Sequence, residues 1–185
     1  MGPDSRAPVF ETPRLRLRPR RREDLADCLA MDRDREVTRW IPGPWDDPPA
    51  HEAFVRARIE AEHGEGLGYW VIHERAAPER FLGWILLIPD GAGEIEIGWR
   101  LIRAAWGRGV AAEAALCVAR HAFETLELAR VVADIAPGNV GSRRVAEKIG
   151  MRPGQGKGGD PGALQKGAAF HCFSPSLVLA AVGGR

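Results

Sequence analysis

Two carboxylates, Glu94 and Glu96, stand two residues apart in Glu94-Ile95-Glu96-Ile97-Gly98-Trp99-Arg100-Leu101, a stretch that alternates polar and apolar. A period of two is that of a strand, and it puts both carboxylates on one face. Such a carboxylate can take a proton from an amine if the face looks into a cleft; it can equally be part of a solvated strand surface. Downstream, Trp106-Gly107-Arg108-Gly109-Val110-Ala111-Ala112-Glu113 opens onto a helical pattern in which Ala112, Leu116, Ala119, Phe123 and Leu126 recur. Strand, glycine turn and helix in that order make an anion site. The first helical N–H groups have no intrahelical partner and the macrodipole is positive there, while Gly107 and Gly109 admit a ligand close to the backbone. A glycine turn that only connects strand to helix reads the same way. Two other phosphate loops fit poorly: no Lys-Ser or Lys-Thr follows the glycines, and the third glycine of a dinucleotide fingerprint is missing. A nucleoside triphosphate or nicotinamide cofactor is therefore disfavoured.

The elements that must position these residues follow from periodicity and turn chemistry. Arg14 to Arg18 reads as an edge strand, and Asp24 to Met31 as a helix burying Leu25, Cys28 and Leu29. A Trp- and Pro-rich loop over Val37 to Pro49 leads to a helix from Ala50 to His63, then a strand from Tyr69 to Glu74. Ala76-Ala77-Pro78-Glu79 is a turn, Phe81 to Ile88 an apolar strand, and Pro89-Asp90-Gly91 a second turn, so an antiparallel meander runs into Glu94 to Leu101. A helix over 111 to 126 followed by a strand from Val131 to Ala136 predicts a right-handed parallel crossover. Pro137-Gly138-Asn139 breaks the chain, and Ser142 to Ile149 forms a short helix packed through Val145, Ala146 and Ile149 and closed by Gly150.

At 185 residues, 45% hydrophobic and 28% charged, the chain is sized for one domain with a real core. Residues 1 to 12 read as a flexible leader and 13 to 185 as that domain, with an irregular tail from about 154. A formal charge of +1 provides no global field for nucleic acid or an anionic membrane, so any charged ligand must be caught locally. The arginines at 14, 16, 18, 20, 21 and 22 alternate at first with Leu15 and Leu17 and are followed by Glu23-Asp24, the pattern of a half-exposed strand. Cys28, Cys117 and Cys172 are odd in number, with no C-x-x-C pair, which points to free thiols in a reducing cytoplasm and to neither disulfides nor zinc. His51, His63, His73, His121 and His171 have no metal-ligand spacing, and His121 falls on the polar side of its helix. No signal peptide or membrane-length apolar run is present.

Four motifs in one order, Glu96-Ile97-Gly98-Trp99, Trp106 to Ala114, Asn139-Val140-Gly141-Ser142 and Glu147-Lys148-Ile149-Gly150-Met151, resemble the GNAT superfamily of acetyl-CoA-dependent N-acetyltransferases, in particular its RimJ/RimL branch. The resemblance covers about Thr12 to Pro153. It implies an α/β fold with a mixed, mostly antiparallel sheet of six to seven strands and about four helices, in which the fourth and fifth strands splay apart around the pantetheine of acetyl-CoA. In that picture backbone N–H groups of Arg108, Gly109, Val110, Ala111 and Ala112 hold the pyrophosphate. Ile97, Gly98 and Trp99 line the pantetheine, and an N–H near Ile97 or Gly98 polarises the thioester carbonyl.

By the same resemblance, Glu96 is the base, acting through a water, with Glu94 the competing choice. Asn139 orients pantetheine. Ser142 protonates the departing thiolate where many relatives use a tyrosine; the only tyrosine here is Tyr69. Asn139 and Ser142 can also simply cap a helix. Trp106 stands where the family often has Gln or Arg, a departure that leaves main-chain phosphate binding intact. Arg143 and Arg144 are lesser candidates for the 3′-phosphate, and Trp40, Pro42 and Trp45 are expected to border the acceptor cleft. The expected acceptor is a primary amine, a protein N-terminal α-amine first and an aminoglycoside or polyamine second; a non-catalytic acyl-CoA sensor is the rival. The partners implied are acetyl-CoA and that amine, with room for a homodimer, no metal, no nucleic acid and no membrane. The tail, with six glycines between Gly154 and Gly167 and a final strand over Leu177 to Val182, departs from a regular closing hairpin and bears on acceptor specificity.

Overall fold

The computed structural model describes residues 7–154 and 168–173. Its strands are β1 (Phe10–Glu11), β2 (Leu15–Pro19), β3 (Gly68–Glu74), β4 (Ala77–Pro89), β5 (Ile95–Leu101), β6 (Arg130–Ile135), β7 (Arg152–Pro153) and β8 (Ala168–Phe173), in the sheet order β1-β2-β3-β4-β5-β6-β8-β7. Every neighbour pair is antiparallel except β5 and β6, which are parallel. The helices are α1 (Leu25–Asp32), α2 (Arg35–Thr38), α3 (Pro48–Glu60), α4 (Val110–Arg120) and α5 (Val140–Lys148). The mixed, mostly antiparallel sheet with one parallel pair is the expected architecture. The two-residue strands β1 and β7 and the one-turn helix α2 raise the element count above the expectation.

Alternation along the central strands sorts the core into two layers. Trp70, Ile72, Ile85, Leu87 and Ile97 pack on one face of the sheet with Ala114, Val118 and Ala122. Tyr69, Val71, Trp84 and Leu86 pack on the other with Cys28, Met31 and Val55 from α1 and α3. A strand covered on both faces must be apolar throughout, which accounts for the unbroken run Phe81 to Leu87 in β4. Full burial of Ile85 or Leu87 is worth roughly 1.5–3 kcal/mol each. Gly83 is required where β4 meets β5: its φ is +142°, and a Cβ there would stand 2.1 Å from the Arg100 carbonyl oxygen.

Several expectations are corrected. Residues 7–12 are not a free leader: Ala7 is buried, β1 pairs with β2, and Trp70 Nε1 donates to the Pro8 carbonyl at 2.6 Å. Residues 1–6 lie outside the described set. The strand near Arg14 is therefore second in the sheet and not its edge. The turn at Ala76 is tighter than expected, since β4 already begins at Ala77. The helix over 111 to 126 ends as α4 at Arg120 and continues as a π turn over His121–Thr125, with Leu126 N–H bonding the His121 carbonyl at 3.1 Å. His121 is buried, not on a polar face, and its Nε2 lies 2.9 Å from the Gly66 carbonyl oxygen. That cross-chain bond, invisible to helical periodicity, sits where the helix widens. Part of the tail is regular, because β8 pairs with β6 along Arg130–Ile135. The expected strand at Leu177 to Val182 lies outside the described residues. Among the described residues no helix is long and apolar enough to cross a membrane.

Candidate active site

The parallel pair opens almost at once. β5 and β6 are in register only at Glu96↔Val132, although β5 runs on to Leu101 and β6 to Ile135. Past Glu96 the edge of β5 that faces β6 has no strand neighbour among the described residues. Buried backbone groups need partners, so such an edge suits an extended ligand that carries amides of its own. A cleft of about 840 Å³ follows from this splay, and Glu96, Ile97, Gly98, Trp99, Asn139 and Ser142 all line it. The structure thus brings six of the expected site residues to one space.

The glycine turn is not part of that lining; it stands at the start of α4, which packs against β5. Gly107 and Gly109 have φ of +72° and +78°, the left-handed region in which a side chain is strained. α3 and α5 are closed by side-chain caps, Asp47 accepting from the Ala50 N–H and Asn139 from the Ser142 N–H, each at 3.1 Å. α4 has none. Its first N–H groups, over Val110 to Ala112, are those a helix leaves unpaired, and an anion is the group that completes them.

The Arg108 guanidinium is drawn away to Glu74 at 2.5 Å. The turn is braced from the N-terminal segment. Arg14 Nη1 donates to the Arg108 carbonyl at 2.9 Å and Arg14 Nε to Glu113 at 2.7 Å, while Thr12 Oγ1 donates to Glu113 at 2.6 Å. Burial raises the Glu113 carboxyl, but the Thr12 and Arg14 hydrogen bonds outweigh it and hold the group below its usual range. Trp106 is 45% exposed and tethered through Nε1 to the Leu101 carbonyl, so no charged side chain stands at that position.

The two carboxylates differ in what crosses to meet them. Glu94 precedes β5 and is held by Arg130 of β6, whose Nε donates to it at 2.6 Å. Glu96 has no hydrogen-bond or ion-pair partner among the described residues. Burial first, and then the Asp134 and Asp90 carboxylates, push it from 4.5 up to about 7. A carboxylate titrating there can hold and release a proton at neutral pH. Asn139 and Ser142 are both half-buried at the start of α5 beside the splay.

The Trp-rich loop divides. Trp40 and Pro42 line the cleft, and Trp40 packs so closely on Gly138 that a Cβ there would stand 2.6 Å from its ring. Trp45 does not line it: its ring meets His51 and Phe54 at 5.2 and 5.5 Å, and its Nε1 donates to the Ile41 carbonyl. That expectation is corrected to a packing role. Among the described residues Arg143 Nη1 reaches the Pro137 carbonyl, at 3.5 Å.

Two features of the cleft were missed in the sequence. Asp32 and Arg100, both buried, pair at 2.6 Å, with His51 Nε2 3.3 Å from the same carboxylate. Arg20, read as one more arginine of a half-exposed strand, is only 9% exposed and lies 3.8 Å over the Tyr69 ring. The one available signal was its spacing of two from Arg18 across the end of β2.

Residues 14–152 match the family described as acetyltransferase (GNAT) domain. The chain belongs to the GNAT acetyltransferase family. It is 33% identical to the uncharacterized protein YkkB of Bacillus subtilis over 76% of this chain and 83% of that protein. It is 30% identical to the FsC-acetyl coenzyme A-N(2)-transacetylase of Aspergillus fumigatus over 78% of this chain, spanning 65% of that protein. Among solved structures it is similar to an acetyltransferase from Agrobacterium tumefaciens, with 29% identity, a TM-score of 0.73, and coverage of 90% of this chain and 95% of that one. This GNAT protein is an acetyl-CoA-dependent N-acetyltransferase. The residues fit the donor: an unpaired β5 edge beside an uncapped helix start is what a pantetheine arm ending in a pyrophosphate requires.

Proposed function

We propose that this GNAT enzyme acetylates α-amines, a protein N-terminus first among them, in the manner of the RimJ/RimL branch, with Glu96 as base and Ser142 as acid. The observation that carries the reading is Glu96, half-buried in the splay and titrating at about 7. An α-ammonium with a pKa near 7.7–8.0 can pass its proton to such a group at a cost of about 1 kcal/mol, whereas a lysine-like ammonium near 10.4 costs about 5 kcal/mol. The match therefore favours α-amines over polyamines.

In the transfer, the neutral amine attacks the thioester carbon while Glu96 takes its proton through a water. The C–S bond then breaks, the thiolate takes a proton from the Ser142 hydroxyl, and Ser142 regains one from solvent as Glu96 releases its own. Backbone N–H groups near Ile97 and Gly98, freed by the splay, hold the developing oxyanion. Asn139 caps α5 and so fixes where Ser142 stands. Arg108, Gly109, Val110, Ala111 and Ala112 hold the pyrophosphate through main chain. Ile97, Gly98 and Trp99 flank the pantetheine. A small-molecule amine is the second reading.

Thiol release from acetyl-CoA, measured over N-terminal peptides, polyamines and aminoglycosides, tests both. Peptides are expected to be the best acceptors, and preference for a polyamine would refute the α-amine reading.

A further inference from the structure

The acceptor end of the cleft carries a positive charge with no counter-charge. Arg20, at the end of β2, lines the cleft. Its Nε and Nη2 are enclosed and have no hydrogen-bond partner among the described residues, and the Cys28 thiol is the side chain within hydrogen-bond reach of the guanidinium. No carboxylate among the described residues pairs with it. Arg18, its neighbour on the same face, takes Asp24 at 2.6 Å. Asp32, a carboxylate lining the same pocket, is engaged by Arg100 and His51. Glu96 and Asp134 line the same cleft, and Tyr69 is a neighbour of both ends: its ring lies 3.8 Å under the Arg20 guanidinium and its hydroxyl feels the Glu96 charge.

The remaining polar neighbours supply no anion. Burial pushes the Cys28 thiol up to about 11, so it is neutral. Burial, then Arg20 itself, lowers His63, which stays neutral too. Arg58, exposed at the rim, stacks 3.5 Å over Phe54 and adds a second cation without a carboxylate partner among the described residues. A guanidinium buried without a counter-ion is costly to fold around, and a carboxylate is the group that pairs with it through a charge-assisted hydrogen bond.

We propose that the acceptor is an amine that also carries a carboxylate, seated with its amine toward Glu96 and its carboxylate on Arg20 across the Tyr69 ring. This rests on the acetyl-transfer reading of the cleft and narrows its substrate class. Two sources share the chemistry: a peptide whose N-terminal α-amine is followed by an acidic side chain, and a small amino-acid derivative. A polyamine or aminoglycoside brings positive charge to a positive pocket and is disfavoured.

The test uses pairs that differ only in the carboxylate: the peptide Ser-Glu-Ala-amide against Ser-Gln-Ala-amide, and glutamate α-amide against glutamine α-amide. Binding to the enzyme with CoA is followed by calorimetry and turnover by thiol release. Wild type is expected to favour the carboxylate member of at least one pair by roughly 10- to 100-fold, the scale of one charge-assisted hydrogen bond. The pair that shows it identifies the source. In Arg20→Gln the ratio is expected to collapse toward one, and Arg20→Lys should retain part of it. Thermal melts establish that both variants fold; relief of an unpaired buried charge should keep Arg20→Gln at least as stable as wild type. Equal binding of both members by wild type, a ratio unchanged in Arg20→Gln, or a preference for spermidine would overturn the proposal. Discrimination in binding without acetyl transfer would leave Arg20 as the carboxylate partner and refute the transfer reading alone.

Discussion

Replacing Glu96 by Gln removes a charge the fold holds at a cost, and the cost can be worked out. Burial and the Asp134 and Asp90 carboxylates raise Glu96 from 4.5 to about 7 in the folded chain. Between those two values the folded state binds a proton that the unfolded state has released. Stability from this group is therefore complete below about pH 4.5 and declines as pH rises to about 7. A displacement of roughly 2.5 units at 1.36 kcal/mol each sets a ceiling of about 3 kcal/mol for the loss. Glutamine keeps the shape and has no charge to penalise, so Glu96→Gln should match wild type near pH 4.5 and exceed it at pH 8 by up to about 3 kcal/mol. For a chain of this size that corresponds to roughly 6–12 °C in Tm. Urea unfolding of both proteins at half-unit steps from pH 4.5 to 8 measures the difference directly. The same substitution should cost turnover about 10²- to 10⁴-fold as the loss of a general base. A stability difference that does not grow with pH, or a glutamine variant weaker at pH 8, would refute the assignment of a strained, unpaired carboxylate in the splay.

Three further outcomes follow from the same geometry. Asp134→Asn removes a charge that raises Glu96, so the acidic limb of kcat should move to lower pH; a limb that stays put belongs to the substrate amine. Gly109→Trp places a side chain on a residue at φ +78° whose Cβ would meet Arg14 Nη2 at 3.4 Å, and calorimetry should find acetyl-CoA binding abolished. Ser142→Ala should lower kcat while acetyl-CoA affinity holds, because the α5 cap uses the Ser142 N–H and not its hydroxyl; an unchanged kcat would remove Ser142 from the chemistry.

What was legible in the sequence is what the chain does with its near neighbours. The period of two through Glu96, the glycine turn and the Asn139 cap are each set within a few residues, and each stands where the pattern puts it. What was not legible depends on a residue arriving from elsewhere. Glu94 and Glu96 are equivalent in the alternation, and it is Arg130 on the neighbouring strand that occupies one and leaves the other open. Trp40 and Trp45 share a loop, but only Trp45 is claimed by His51 and Phe54. His121 has a helical address and a tertiary partner in Gly66. Arg18 and Arg20 are likewise twins until Asp24 takes the first.

That division has a consequence for function. The chemistry of acetyl transfer is common to the family and is written in the local motifs. On the proposal above, choice of acceptor depends on charges in the cleft left without an ion-pair partner among the described residues, and Glu96 and Arg20 are two of them. A substrate with an amine at one end and a carboxylate at the other would complete both, so the proposal puts acceptor specificity on Arg20, a buried arginine with no carboxylate partner among the described residues.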